Sequence, residues 1–117
     1  MKKLPLDEVH VDELLVLTLG RGCVELHLEA GRAPAVRRDG EQQMDELPYE
    51  SASAANVQSM VYDIISDEQI IRFENEMKLS FGHQVRTVGR FLVLVMRDDK
   101  GQVAASFRMV LNSEAQE

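Results

Sequence analysis

Cysteine is almost missing from this chain: Cys23 is the one example in 117 residues. That excludes an internal disulfide framework and fits a reducing compartment. Positive charge is also short. Thirteen Lys and Arg stand against twenty Asp and Glu, for a net charge of −7. A surface this acidic repels a phosphate backbone, so nucleic acid is not an expected partner. No apolar run approaches the roughly 18 residues that cross a bilayer. The opening, Met1-Lys2-Lys3-Leu4-Pro5-Leu6-Asp7-Glu8, puts acids and proline where a signal peptide needs an apolar stretch. A Walker A loop, Gly-x-x-x-x-Gly-Lys-Ser/Thr, is lacking as well: none of Lys2, Lys3, Lys78 and Lys100 sits in that context. These absences describe a cytoplasmic chain with no membrane span and no P-loop.

What is present is ordinary globular material, 44% hydrophobic and 28% charged. The length suits a single domain over residues 1–117 with a genuine core. Residues 1–6 read as a loose lead-in. Val11, Leu14, Leu15 and Leu19 recur at helical spacing, which predicts a helix over 7–19 that Gly20 and Gly22 end. Val24, Leu26 and Leu28 alternate with Glu25, His27 and Glu29, the pattern of a strand with one buried face. Gly31 and Pro34 mark a turn, residues 35–38 a second strand, and Asp39-Gly40 a two-residue hairpin turn. Residues 41–44 then return as a polar edge strand.

Val57, Met60, Val61, Ile64 and Ile65 make the clearest helical stripe, over residues 51–65. Ser66 with Gln69 is a capping box that opens another helix, in which Ile70, Phe73 and Met77 face inward and Ile71 broadens the stripe. The last third predicts three strands, at 79–85, 90–96 and 102–111, with turns at 86–88 and 98–101. Phe91-Leu92-Val93-Leu94-Val95 reads as a central strand covered on both faces, and 112–117 as a frayed tail. The order α-βββ-αα-βββ predicts an α+β fold, an antiparallel sheet with helices packed on it.

Candidate chemistry is sparse. His10, His27, His83 and Cys23 lack the spacing of a metal site, so no metal is expected. Nothing near Cys23 would lower its pKa for nucleophilic work. Glu25 and His27, two apart on a strand, share a face. They could form an acid–imidazole pair for proton transfer, or a polar pair tying the sheet to a helix or a neighbouring subunit; no third catalytic partner can be named. Arg37, Arg38, Arg86, Arg90, Arg97 and Arg108 cluster in the β portions of an acidic chain. Arginine suits phosphate and carboxylate, and it also keeps exposed strands soluble.

One ordered set of residues resembles a known family. It begins with Gly22-Cys23-Val24-Glu25-Leu26-His27-Leu28, Gly31, Pro34 and Arg37-Arg38-Asp39-Gly40. It continues through Val61-Tyr62-Asp63-Ile64-Ile65-Ser66-Asp67-Glu68-Gln69, Phe73-Glu74, Leu79-Ser80-Phe81, Gly89-Arg90-Phe91 and Phe107-Arg108. Together these resemble the N-terminal, PAS-like domain of the pilus retraction ATPases, within the type II/IV secretion ATPase family. The resemblance covers residues 8–110.

It implies a PAS-like domain that packs on the ATPase domain of the adjacent subunit in a hexameric ring and does no chemistry itself. Arg90 and Arg108 match arginines that approach the nucleotide phosphates there. Gly22, Glu25, His27, Gly31, Pro34, Asp39 and Gly40 are motif positions. Some positions depart from the family: its Ser-Asp is Val24-Glu25, an Asp before Phe81 is Ser80, and its Arg-Val-Asn after Arg-Phe is Leu92-Val93-Leu94. The family's Ile-Pro linker and motor domain do not follow Arg108, which leaves an excised domain or a stand-alone relative without a motor; the changed linker and substituted strand favour the latter.

The expectation is a non-catalytic interaction module, with no cofactor, that contacts a pilus or secretion motor ATPase or a second copy of itself. A PAS-like small-ligand sensor is the alternative, and it predicts an enclosed pocket with convergent polar groups.

Overall fold

Hydrophobic alternation decides which side of each strand is buried, and here it places all the helices on one side of one sheet. The computed structural model describes residues 3–86 and 88–110. Its order is α1 (Val11–Gly20), β1 (Glu25–Leu28), β2 (Ala35–Arg37), β3 (Met44–Glu46), α2 (Ala54–Tyr62), α3 (Asp67–Glu76), β4 (Lys78–Val85), β5 (Gly89–Arg97) and β6 (Val103–Met109). The six strands form one sheet in the order β3-β2-β1-β6-β5-β4, and every neighbouring pair is antiparallel. The expected α+β class, an antiparallel sheet with helices packed on it, is borne out.

The core lies between the sheet and the helices. Leu26, Leu28, Val36, Leu79, Phe91, Val93, Val95 and Phe107 come from the strands, and Leu14, Leu15, Val57, Val61 and Phe73 from the helices; all are buried. Local chemistry sets the helix starts. His10 caps α1, its Nδ1 accepting from the Asp12 N–H at 3.0 Å. The helix therefore begins at Val11 rather than residue 7. The Ser66–Gln69 capping box opens α3 as expected. A second box, Ser53 with Asn56, opens α2; it went unread because the sequence placed that helix start at 51.

Several expectations need correction. The lead-in is held, since the Leu4 N–H donates to the Pro48 carbonyl at 3.1 Å and the Glu50 N–H to the Leu4 carbonyl at 2.7 Å. Asp39-Gly40 is not a two-residue hairpin turn. Pairing stops at Arg37↔Met44, which leaves 38–43 as a loop and moves the edge strand to Met44–Glu46. Of the stripe assigned to α3 only Phe73 is buried; Ile71 and Met77 are exposed, and Met77 is the left-handed residue that ends the helix. Most consequentially, β5 is central but covered on one face only, its residues alternating between buried and exposed. The expected extension of the last strand to Leu111 and the tail at 112–117 lie outside the described residues, as do Met1, Lys2 and Thr87 of the turn at 86–88.

Candidate interaction surface

Opposed residues in an antiparallel pair point to the same side of the sheet, so the register fixes what the helix-free face displays. β5 supplies Arg90, Leu92, Leu94 and Met96. Opposite them β6 supplies Arg108, Ser106 and Ala104, and β4 supplies Gln84, Gly82, Ser80 and Lys78. Beyond β6 lie Glu25 and His27 of β1, then Arg37 and Ala35 of β2. Leu92 is 51% exposed, Leu94 44% and Met96 48%. Across β4, β5 and β6 every charged residue on this face, namely Lys78, Arg90 and Arg108, is a cation. That concentration stands out on a chain of net charge −7.

Arg90 is settled in a particular place. Its guanidinium lies over Gly82, so close that a Cβ there would sit 2.8 Å from Cζ and 3.1 Å from Nε. Only a residue without a side chain leaves that trough. Arg108 is opposite Leu92 on one side and Glu25 on the other, so Arg90 and Arg108 are diagonal neighbours at one end of the apolar stripe.

The other polar grouping is Glu25 with His27 and Arg37. His27 Nε2 is 2.9 Å from Glu25 Oε1, Arg37 Nε donates to the same oxygen at 3.2 Å, and Arg37 Nη2 donates to Oε2. Arg37 also donates to the Glu41 carbonyl, which ties the loop 38–43 to the sheet. Burial pushes the Glu25 carboxyl upward, but the hydrogen bonds from Arg37 and His27 overcome it and hold the group below its ordinary value. A carboxylate held by a guanidinium is a poor proton acceptor. The third partner missing from the sequence reading is thus the Arg37 guanidinium. It had a signal: a hairpin centred on Gly31 sets Glu25 opposite Arg37.

The remaining motif residues shape turns. Gly22 and Gly31 take left-handed φ values of 76° and 90°, Gly22 after α1 and Gly31 between β1 and β2. The Gly31 N–H reaches the Ala52 carbonyl at 2.8 Å. Pro34 is buried before β2, and its carbonyl accepts from the Leu47 N–H at 2.8 Å. Asp39 and Gly40 are exposed in the loop 38–43. The histidines go to separate places: His10 to the α1 cap, His27 to Glu25, and His83 to Asp12 at 2.7 Å. No group of three or more metal-ligating side chains occurs among the described residues. The hollow beside His27, lined also by Arg32, Met44, Leu94 and Met96, holds about 180 Å³ and opens to solvent.

No protein-family model matches the chain. Over 100 residues it is 33% identical to the type IV pilus retraction ATPase PilT of Pseudomonas aeruginosa, an alignment that spans 86% of this chain and 28% of that protein. Over those residues the chain is homologous to PilT. A crystal structure of the pilus retraction motor PilT with bound ADP matches with a TM-score of 0.78 at 29% identity, over 90% of this chain and 30% of that one. The ATPase DotB of Legionella pneumophila shares the fold, with a TM-score of 0.75 at 9% identity over 94% of this chain and 32% of that one. The resemblance read from the sequence is borne out. The chain spans under a third of the length of PilT and of DotB. Among the described residues no helix is long and apolar enough to cross a membrane.

Proposed function

We propose that this chain is a non-catalytic docking module that binds a pilus or secretion motor ATPase in the cytoplasm through the helix-free face of its sheet. The observation that carries this reading is the stripe of Leu92, Leu94 and Met96, half exposed and bordered by Arg90, Arg108 and Lys78. Aliphatic side chains at that exposure gain by being covered, at about 25 cal/mol per Å² of apolar area removed from water. An apolar centre with a charged rim is the anatomy of a protein interface. Arg90 and Arg108 sit where guanidinium groups reach carboxylate or phosphate on a docked partner, and the family resemblance makes bound nucleotide phosphate a candidate for that contact.

Calorimetric titration of the chain into a full-length pilus retraction ATPase tests the reading, with the ATPase rate followed in parallel. Binding heat and an altered rate are expected. Leu94→Asp, at an exposed position, should abolish the heat while leaving the fold intact. No heat and an unchanged rate with the native chain would overturn the proposal.

A further inference from the structure

The two edges of the sheet are finished differently. β3 is three residues long and carries Asp45 and Glu46. Short length and charge are the usual ways an edge is kept from pairing with another chain. β4 is eight residues long and pairs one to one with β5 from Lys78↔Met96 to Val85↔Gly89, without a bulge. It has no proline, and Lys78 is its one Lys, Arg, Asp or Glu. Among the described residues it pairs with β5 alone.

Hydrogen-bond geometry shows which groups are left over. The Arg97 N–H donates to the Met77 carbonyl at 3.1 Å, continuing the β4–β5 register, while the Arg90 carbonyl accepts from the Val110 N–H at 2.8 Å on the β6 side. In an antiparallel ladder such groups alternate from residue to residue. Odd-numbered residues of β4 therefore bond to β5, while Lys78, Ser80, Gly82 and Gln84 turn their N–H and C=O groups away from the sheet. All four are exposed. Helix α3 does not close this edge: Arg72 and Glu76 stand back from it, bounding a hollow of about 360 Å³ beside Lys78, Leu79 and Ser80.

We propose that β4 pairs antiparallel with β4 of a second copy of this chain, joining two sheets into one of twelve strands. The inference is separate from the docking role, because it uses the edge of the sheet rather than its face. A dyad through Phe81 sets Lys78 against Gln84 and Ser80 against Gly82. Each residue with outward main-chain groups then meets its like, and every one of those groups is bonded. The side chains agree with that register. The two lysines lie at opposite ends of the seam, so no like charges are opposed. The small Ser80 falls opposite Gly82, which leaves Arg90 its place above the glycine. A second copy carries all the required complementarity in one sequence, whereas an unrelated strand would have to supply it separately.

Sedimentation velocity of the native chain across a concentration series, together with amide hydrogen exchange, tests this. The expected result is a shift from 13.2 kDa toward about 26 kDa as two copies associate. Exchange at Ser80, Gly82 and Gln84 should slow by about tenfold or more over the same range, while Leu79 and Phe81 are protected throughout. Ser80→Pro should abolish the dimer and leave the monomer folded, because the N–H it removes makes no bond within the sheet. A monomer at about millimolar concentration, with those three amides exchanging freely, overturns the proposal. So does a dimer that persists in a folded Ser80→Pro chain. Protection seen only when an extended segment of another protein is added also counts against it.

Discussion

Replacing Gly82 by alanine separates stability from docking. The glycine's φ lies outside the left-handed region, so alanine can take its backbone conformation. In a strand interior that exchange is worth about 0.5–1 kcal/mol to the fold. The obstacle is Arg90, whose guanidinium would lie within 2.8 Å of the new methyl at Cζ and nearer still at one nitrogen. What must move is the far end of an exposed, flexible side chain, and that movement costs little. Urea unfolding should therefore show Gly82→Ala as stable as the native chain, or more stable by up to about 1 kcal/mol.

The binding result should differ. With its trough filled, Arg90 can no longer rest where it does, and a charge-assisted contact at a partly exposed rim is worth about 1 kcal/mol. That corresponds to a Kd for the motor ATPase weakened about fivefold. Because the effect runs through Arg90, Gly82→Ala should add nothing in an Arg90→Ala background. A further loss there would mean that the methyl itself obstructs the partner. A fold destabilised by more than about 1 kcal/mol would mean that Arg90 is pinned by contacts stronger than those described.

Two further perturbations address the remaining parts of the fold. Glu25 is held below its ordinary value, so its contribution is complete above about pH 4.5 and is lost as pH falls through the lower folded value. Glu25→Gln should cost about 1 kcal/mol near neutrality and flatten the decline of stability in acid, measured by urea unfolding over a pH series; parallel curves for the two proteins would refute this. Phe73 is wholly buried, edge-on to Tyr62 at 6.4 Å and beneath the Arg97 guanidinium at 5.2 Å. Phe73→Ala should cost about 3–5 kcal/mol in the same assay, and a loss below about 1.5 kcal/mol would show that the cavity collapses readily.

Much of this was legible from the residues, for reasons that differ by element. The box of Ser66 with Gln69 is local hydrogen-bond chemistry and is readable at four-residue range. The order of elements follows from periodicity. What periodicity could not supply was the reason that Leu92 and Leu94 are apolar. A strand covered by helices on both faces and a strand with one apolar face exposed produce the same apolar run, so β5 reads as doubly buried. The loop 38–43 was misread because Asp-Gly is a hairpin signal only when pairing closes on it. Here pairing stops at Arg37, whose side chain is already engaged by Glu25. Arg90 was placed by resemblance, but its seat over Gly82 depends on the register of β4 with β5, which no local signal encodes.

The position of β6 has a consequence for how the chain is assembled. Among the described strands β6 comes last in sequence, and it lies between β1, the first of them, and β5. Until it arrives, β1–β3 and β4–β5 are two ribbons with no strand pairing between them, and β1 and β5 each present an unpaired edge. Closing the sheet brings Glu25 to Arg108 across most of the chain's length, a long loop that slows folding. An emerging chain must hold both ribbons apart from other nascent copies until β6 is complete. A truncation before Val103 would leave that exposure permanent, and its expected fate is aggregation rather than a smaller folded protein.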